Sequence, residues 1–203
     1  MLAAILVVAL VQPPTAPPDL ATARQWFEAG KHQEVIAVTL SGESAPSLIY
    51  VVAQSHDRLK QRAPVRAAYE RLAGRPETDP WHYVGRSAVL LADNQLAQAL
   101  AAAQHAVTLG PTVAEAHFQL GRVLAEHRDY VKAAPAFVAT IAINPMPAYA
   151  HYYAGLSYYQ AERIDLMANF FESFLKLAPD APERTQVESC APSAAAARFP
   201  ERI

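Results

Sequence analysis

The stretch HFQLGRVL at residues 117–124 returns 34 positions later as HYYAGLSY at residues 151–158. The same interval runs outward from it in both directions. Pro111, Pro145 and Pro179 are spaced by 34 residues, and Gly121 and Gly155 keep that interval with Ser87 one unit earlier. Three further columns follow: Leu90, Leu124 and Tyr158; Ala99, Ala133 and Met167; Ala103, Phe137 and Phe171. Independent columns sharing one period mark an internal repeat, whose units stack because none can bury its apolar face alone.

Each column has a physical reason. Glycine inside a helix costs about 1 kcal/mol against alanine, a cost that makes sense at Gly121 and Gly155 if a neighbouring helix approaches closely there. Ala133 is expected as the facing small residue, with Phe137 one turn later filling the space between units. A proline cannot continue a helix, so Pro111, Pro145 and Pro179 reset the chain for the next pair. The pattern predicts first helices near 19–29, 47–59, 81–93, 115–127 and 149–161. Second helices are expected near 32–40, 63–74, 96–109, 130–143 and 164–177. Asn94-Gln95 and Asp129-Tyr130 carry turn and N-cap chemistry between partners. Pro135 falls inside a second helix and predicts a kink or a late helix start.

The unit His117-x-x-Leu120-Gly121-x-x-Leu124, Ala133-x-x-x-Phe137, Pro145 resembles the tetratricopeptide repeat pattern. The next unit repeats it with His151, Ala154, Gly155, Tyr158, Met167, Phe171 and Pro179, and the unit before with Tyr83, Ser87, Leu90, Ala99, Ala103 and Pro111. Ala53, His56, Val65 and Tyr69 form a weaker match, and Trp26, Gly30 and Val35 a degenerate one. The resemblance implies an all-α fold: a right-handed α-solenoid of antiparallel helix pairs spanning 19–181, with a polar cap over 182–191 and a flexible tail over 192–203. Thr140 and Phe174 depart from it, standing where the family usually has alanine, and Phe174 is expected to push the last repeat outward.

Hydrophobic residues make up 52% of the chain and charged residues 18%, which excludes a disordered polar tail. A net charge of −2 argues against a nucleic-acid or anionic-membrane surface, which needs a basic stripe. The single cysteine, Cys190, excludes an internal disulfide and cysteine-cluster zinc sites. Leu2 to Val11 is an apolar run followed by four prolines within Gln12 to Pro18. As a helix it reaches about half of a ~30 Å hydrocarbon core, so no stable membrane span is expected. It has the length of a signal-peptide apolar region, which places the protein in the bacterial periplasm or outside the cell. If residues 1–18 are instead a retained N-terminal apolar segment, the expected location is cytoplasmic.

The sequence carries no G-x-S-x-G elbow, H-E-x-x-H motif or glycine-rich phosphate loop, so no catalytic residue and no cofactor is assigned. His117 and His151 lie one unit apart but lack the further ligands a zinc site needs, so no metal is assigned either. The resemblance implies that first helices line a concave surface. On that face stand Trp81, Val84, Phe118, Arg122, Tyr149, Tyr152 and Tyr159, an aromatic set suited to recognition. Relatives that hold chaperone C-termini use a Lys, Asn and Arg clamp there, of which only Arg122 has a counterpart here. The expected partner is thus a protein or peptide, offering an extended apolar or proline-rich segment or an amphipathic helix. The same side chains are alternatively covered by a neighbouring repeat, the N-terminal segment or a second subunit. The function expected is a non-catalytic interaction scaffold. The alternative is a self-associating component of an envelope assembly.

Overall fold

Helix starts in this chain are set by acidic caps and prolines. Asp19 accepts a hydrogen bond from Thr22 N and opens α1 (Leu20–Glu28). Asp79 accepts from Trp81 N and, with Pro80 at the first helical position, opens α5 (Pro80–Ala92). Asp129 does the same for α8 (Tyr130–Ile143) through Lys132 N. The remaining helices are α2 (His32–Ile36), α3 (Pro46–Arg58), α4 (Arg62–Ala73), α6 (Leu96–Leu109), α7 (Ala114–Glu126), α9 (Ala148–Gln160), α10 (Ile164–Leu177) and α11 (Arg184–Ala197). The computed structural model describes residues 19–144 and 147–197, and among these there is no strand. No helix of the described residues is long and apolar enough to cross a membrane.

Consecutive helices pair as α1/α2 through α9/α10, each pair packing on the next in an all-α right-handed solenoid closed by α11 on α10. The turn inside every pair is built alike. One residue takes a left-handed conformation: Gly30, Lys60, Asn94, Arg128 and Glu162. The following amide then reaches back to the helix it has left, as Gln61 N does to the His56 carbonyl at 2.9 Å and Asp129 N to the Leu124 carbonyl at 2.9 Å. This is the Schellman closure, and glycine provides it in the first pair alone.

The glycine, alanine and phenylalanine columns are core. Ala99, Ala133, Met167, Ala103 and Phe137 are fully buried, and Leu124 and Phe171 nearly so. A Cβ added at Gly121 would stand 2.7 Å from the Phe137 ring, and one at Gly155 2.5 Å from the Phe171 ring. The glycines therefore seat the phenylalanines directly; Ala133 is buried nearby but Gly121 is the small residue that Phe137 meets. Ser87, which takes the glycine's place in the unit before, donates to the Ala99 carbonyl at 2.9 Å, within a partner helix whose Ala103 leaves room. Phe174 adds its volume inside the last pair, fully buried and with its ring 5.2 Å from that of Tyr152.

Three expectations need correction. Of the kink or late start expected at Pro135, the late start does not occur: the helix begins at Tyr130 and stays helical through the proline. Pro135 and Val131 both lie on the exposed face, where the carbonyl that loses its partner is open to water. The second helix of the first pair ends at Ile36 instead of 40. Beyond it Ser41-Gly42-Glu43-Ser44 forms a turn, held by Ser41 N donating to Ser44 Oγ at 2.8 Å. Finally, α11 continues through Ala197, past the cap end expected at 191. The apolar run of residues 1–18 and the proline of the 145 column lie outside the described residues.

Candidate functional site

The solenoid curves until its two ends meet across the concave side. Ala23, Phe27, Val35, Val51 and Val52 from α1 to α3 share one apolar cluster with Tyr149, Tyr152, Met167, Phe171, Phe174 and Val187 from α9 to α11. Polar contacts close the same gap. Arg24 of α1 pairs with Glu115 of α7 at 2.7 Å, and Glu28 Oε2 accepts a hydrogen bond at 2.9 Å from the amide of Ala148, the first residue of α9. Arg58 of α3 stacks 3.7 Å above the Tyr149 ring and pairs with Glu183, just ahead of α11. Arg122 of α7 reaches Asp57 at 3.1 Å and the Tyr69 hydroxyl at 3.3 Å.

These contacts decide the fate of the expected aromatic surface. Val84, Phe118, Tyr149 and Tyr152 are buried, Trp81 and Arg122 are half-buried, and Tyr159 is 40% exposed. Phe27 meets Tyr149 edge-on at 5.6 Å, Tyr50 meets Trp81 at 6.1 Å, and Phe118 packs on Phe137 and Tyr153. Tyr149 donates to Glu183 Oε2 and Tyr152 to Gln186 Oε1, each at 3.3 Å. Burial raises both phenols, Tyr152 to about 12, so they stay neutral donors. Within this face α1 and α3 cover Trp81, Arg122 and Tyr149, while Phe118 and Tyr152 pack against residues of α8 to α11. Arg122 is engaged by Asp57 and Tyr69 and does not stand free as a clamp residue. His117 donates to the Pro111 carbonyl at 3.0 Å, tying α7 to the turn that precedes it.

What stays open is a cleft of about 100 Å³ beside α1. Phe27, Val51, Phe118 and Tyr149 give it apolar walls, and Arg24, Glu28, Gln54 and Glu115 bring polar atoms to it. Gln54 Nε2 is buried there with no hydrogen bond of good geometry, its side chain interacting with the Tyr50 hydroxyl. Glu28 is the other unusual group. Burial raises its carboxyl to about 7, against the pull of the Ala148 amide and of Arg58 and Arg24. A second cleft adjoins the first, sharing Arg24 and Glu28 with it, and lies between α1 and the C-terminal end of α10. Sequence reasoning found Phe118 and Tyr149 but missed Glu28, Gln54 and Phe27. Nothing in the 34-residue columns marks residues that act between units 1 and 5. Among the described residues no group of three or more His, Cys, Asp or Glu is placed to hold a metal ion.

Stacked helix pairs, a curved inner face and an interior built from packing columns define a helical-repeat scaffold. The tetratricopeptide repeat family model matches residues 85–145 and 118–182. A thermophilic tetratricopeptide protein of Thermus thermophilus superimposes with a TM-score of 0.59 at 19% identity, over 87% of this chain and 97% of that one. YrrB, described as a tetratricopeptide protein with an unusual peptide-binding site, gives 0.52 at 21% identity, over 84% of this chain and 90% of its own. MamA of Desulfovibrio magneticus RS-1, residues 41 to the end, gives 0.52 at 20% identity over 74% and 89%. At such identities these likenesses speak to the fold alone. No curated protein matches the sequence significantly. Residues 85–182 are tetratricopeptide repeats, the match spanning the two units where the glycine and phenylalanine columns are complete and the unit before them, which carries Ser87 and Ala103 instead.

Proposed function

We propose that this protein is a non-catalytic scaffold that docks a peptide or protein segment on its concave side, anchored in the cleft beside α1. The observation that carries this reading is the cleft walled by Phe27, Val51, Phe118 and Tyr149, into which the buried Gln54 amide brings a donor whose one interaction, with the Tyr50 hydroxyl, falls short of good hydrogen-bond geometry. A buried donor left unpaired costs roughly 1–3 kcal/mol. An incoming main-chain carbonyl would satisfy it while an apolar side chain fills the space below. That combination suits a peptide with an aliphatic or proline anchor. The tetratricopeptide fold supports an interaction role, and the description of YrrB shows that a peptide site occurs on this architecture. The export reading of residues 1–18 belongs to the same proposal and puts the partner in the periplasm or outside the cell.

Ala114 lines the cleft and is buried, so Ala114→Leu fills it from the wall. Peptides selected from a random display library on the wild-type protein would be measured by fluorescence anisotropy against both proteins. Binding to the A114L protein should weaken at least tenfold, with its far-UV circular dichroism unchanged. Equal affinity in the folded variant would refute the cleft as the anchor site.

A further inference from the structure

Cation acceptors gather at the cleft between α1 and α10. Three helices end there: α1 at Glu28 with Ala29 as its cap, α8 at its cap Asn144, and α10 at its cap Ala178. The C-terminal end of a helix carries about half a negative charge on its outward-pointing carbonyls. The last turns of α1 and α8 hold no basic side chain, and Lys176 in the last turn of α10 pairs with Glu172. The carboxyl groups of Glu28 and Asp180 line the same cleft. Among the described residues its one basic lining side chain is Arg24, which is paired with Glu115 at 2.7 Å. Arg58, the other cation acting on Glu28, is taken by Glu183 and the Tyr149 ring, and Arg184 by the Pro179 carbonyl and Glu188. The cleft is also the larger of the two, at about 590 Å³, with an apolar wall from Ala21, Leu177 and Pro179.

We propose that this cleft is a subsite for a lysine or arginine side chain of the docked segment, a few residues along that segment from its apolar anchor. The inference rests on the docking reading of the first cleft and adds a feature of the partner that the reading leaves open. Because the two clefts share Arg24 and Glu28, an extended segment seated in the first runs directly into the second. The methylene stem of a basic residue would lie along Ala21, Leu177 and Pro179, with its charged head among Glu28, Asp180 and the helix ends. An acidic residue at the same place would meet two carboxyl groups and three negative helix ends. Burial raises the Glu28 carboxyl, and a cation brought beside it offsets that burial by favouring the ionised form. The preferred partner is therefore basic next to its anchor, the reverse of an acidic C-terminus.

Gln25 and Asp180 are exposed and line the second cleft without lining the first, so Gln25→Lys combined with Asp180→Lys makes the subsite basic and leaves the anchor cleft intact. Segments selected on the wild-type protein from a random display library should carry a lysine or arginine close to the apolar anchor. Each is synthesised with that residue kept, or replaced by norleucine or by glutamate. Fluorescence anisotropy then compares the wild type, the Q25K/D180K protein and A114L. On the wild type, norleucine should cost about tenfold in affinity and glutamate more. Q25K/D180K should bind the basic peptide about tenfold more weakly, change less than about twofold for the norleucine peptide, and prefer the glutamate one. A114L should weaken all three. Selected segments without a basic residue, equal affinity of the wild type for the basic and norleucine peptides, or a Q25K/D180K protein that binds the basic peptide as the wild type does would each overturn the subsite. In those cases a loss in A114L leaves the docking reading standing. If A114L binds normally while the Q25K/D180K losses hold, the subsite is right and the anchor cleft is wrong. A library that yields no binder overturns both, and if Q25K/D180K does not fold, the peptide series on the wild type decides the matter.

Discussion

Gly85→Ala should destabilise this protein although it replaces a poor helix former by the best one. An ideal Cβ at Gly85 would stand 2.5 Å from the Tyr69 carbonyl oxygen and from Ala73 N, and 2.6 Å from Leu72 Cβ. The shortest of these falls about 0.9 Å short of the 3.4 Å of ordinary contact, so α4 and α5 would have to part by that much. A gap of that size forfeits about a quarter to a half of the attraction of each atom pair along the seam. Overpacking costs about 1–3 kcal/mol, and the upper end applies because the obstacles are backbone, which cannot rotate aside. Set against it is about 1 kcal/mol of helix propensity. The net loss is then about 2 kcal/mol, or a Tm lower by about 4–8 °C for a domain of this size. Gly74 supplies the control, since its added Cβ would meet nothing nearer than 3.5 Å. Gly74→Ala should gain about 0.4–1 kcal/mol by restricting the unfolded chain. Urea and thermal unfolding followed by far-UV circular dichroism measure both. If G85A is as stable as G74A, the close approach of α4 and α5 is not there and the reasoning fails.

Pro135→Ala restores the amide that the Val131 carbonyl lacks, and should raise stability by about 1–3 kcal/mol, read from the urea midpoint. The gain falls below the full value for a helix interior because Val131 and Pro135 are exposed and water already serves that carbonyl. Arg128 holds a φ of 60° in the turn between α7 and α8. Relieving that conformation with Arg128→Gly should stabilise by up to about 1 kcal/mol, seen as a higher Tm. A loss would show that the Arg128 side chain contributes more than its backbone costs.

The glycine and phenylalanine columns made the stacking legible because Gly121 and Gly155 act on Phe137 and Phe171 within their own units. Gly85 escaped the columns because its close approach is to α4 of the preceding unit and has no counterpart 34 residues on, where Gln119 stands. The left-handed turns escaped for a different reason. Lys60, Asn94, Arg128 and Glu162 share a position but no side-chain chemistry, and the helix-end hydrogen bonds impose the conformation on whatever residue is there. At Pro135 the local rule was sound and its effect was moderated by exposure, which a proline in a string of letters does not display.

The aromatic first-helix face returns the same lesson at the level of function. That Phe118, Tyr149 and Tyr152 share one face of the first helices followed from the period, a local property of a chain that repeats, and that this face is the inner one was what the family resemblance implied. Whether the inner side is open depended on curvature summed over five pairs, and curvature is set by side-chain volumes at every interface together. Glu28 meeting Ala148 across 120 residues, and Arg58 meeting Glu183 across 125, are outcomes of that sum. The sequence by itself determined the unit, its period and its packing columns, because these rest on neighbours a turn or a helix away. Only the tertiary structure decided that the groove closes on itself and leaves a half-buried carboxyl at the seam, because that depends on how the first and last pairs meet in space.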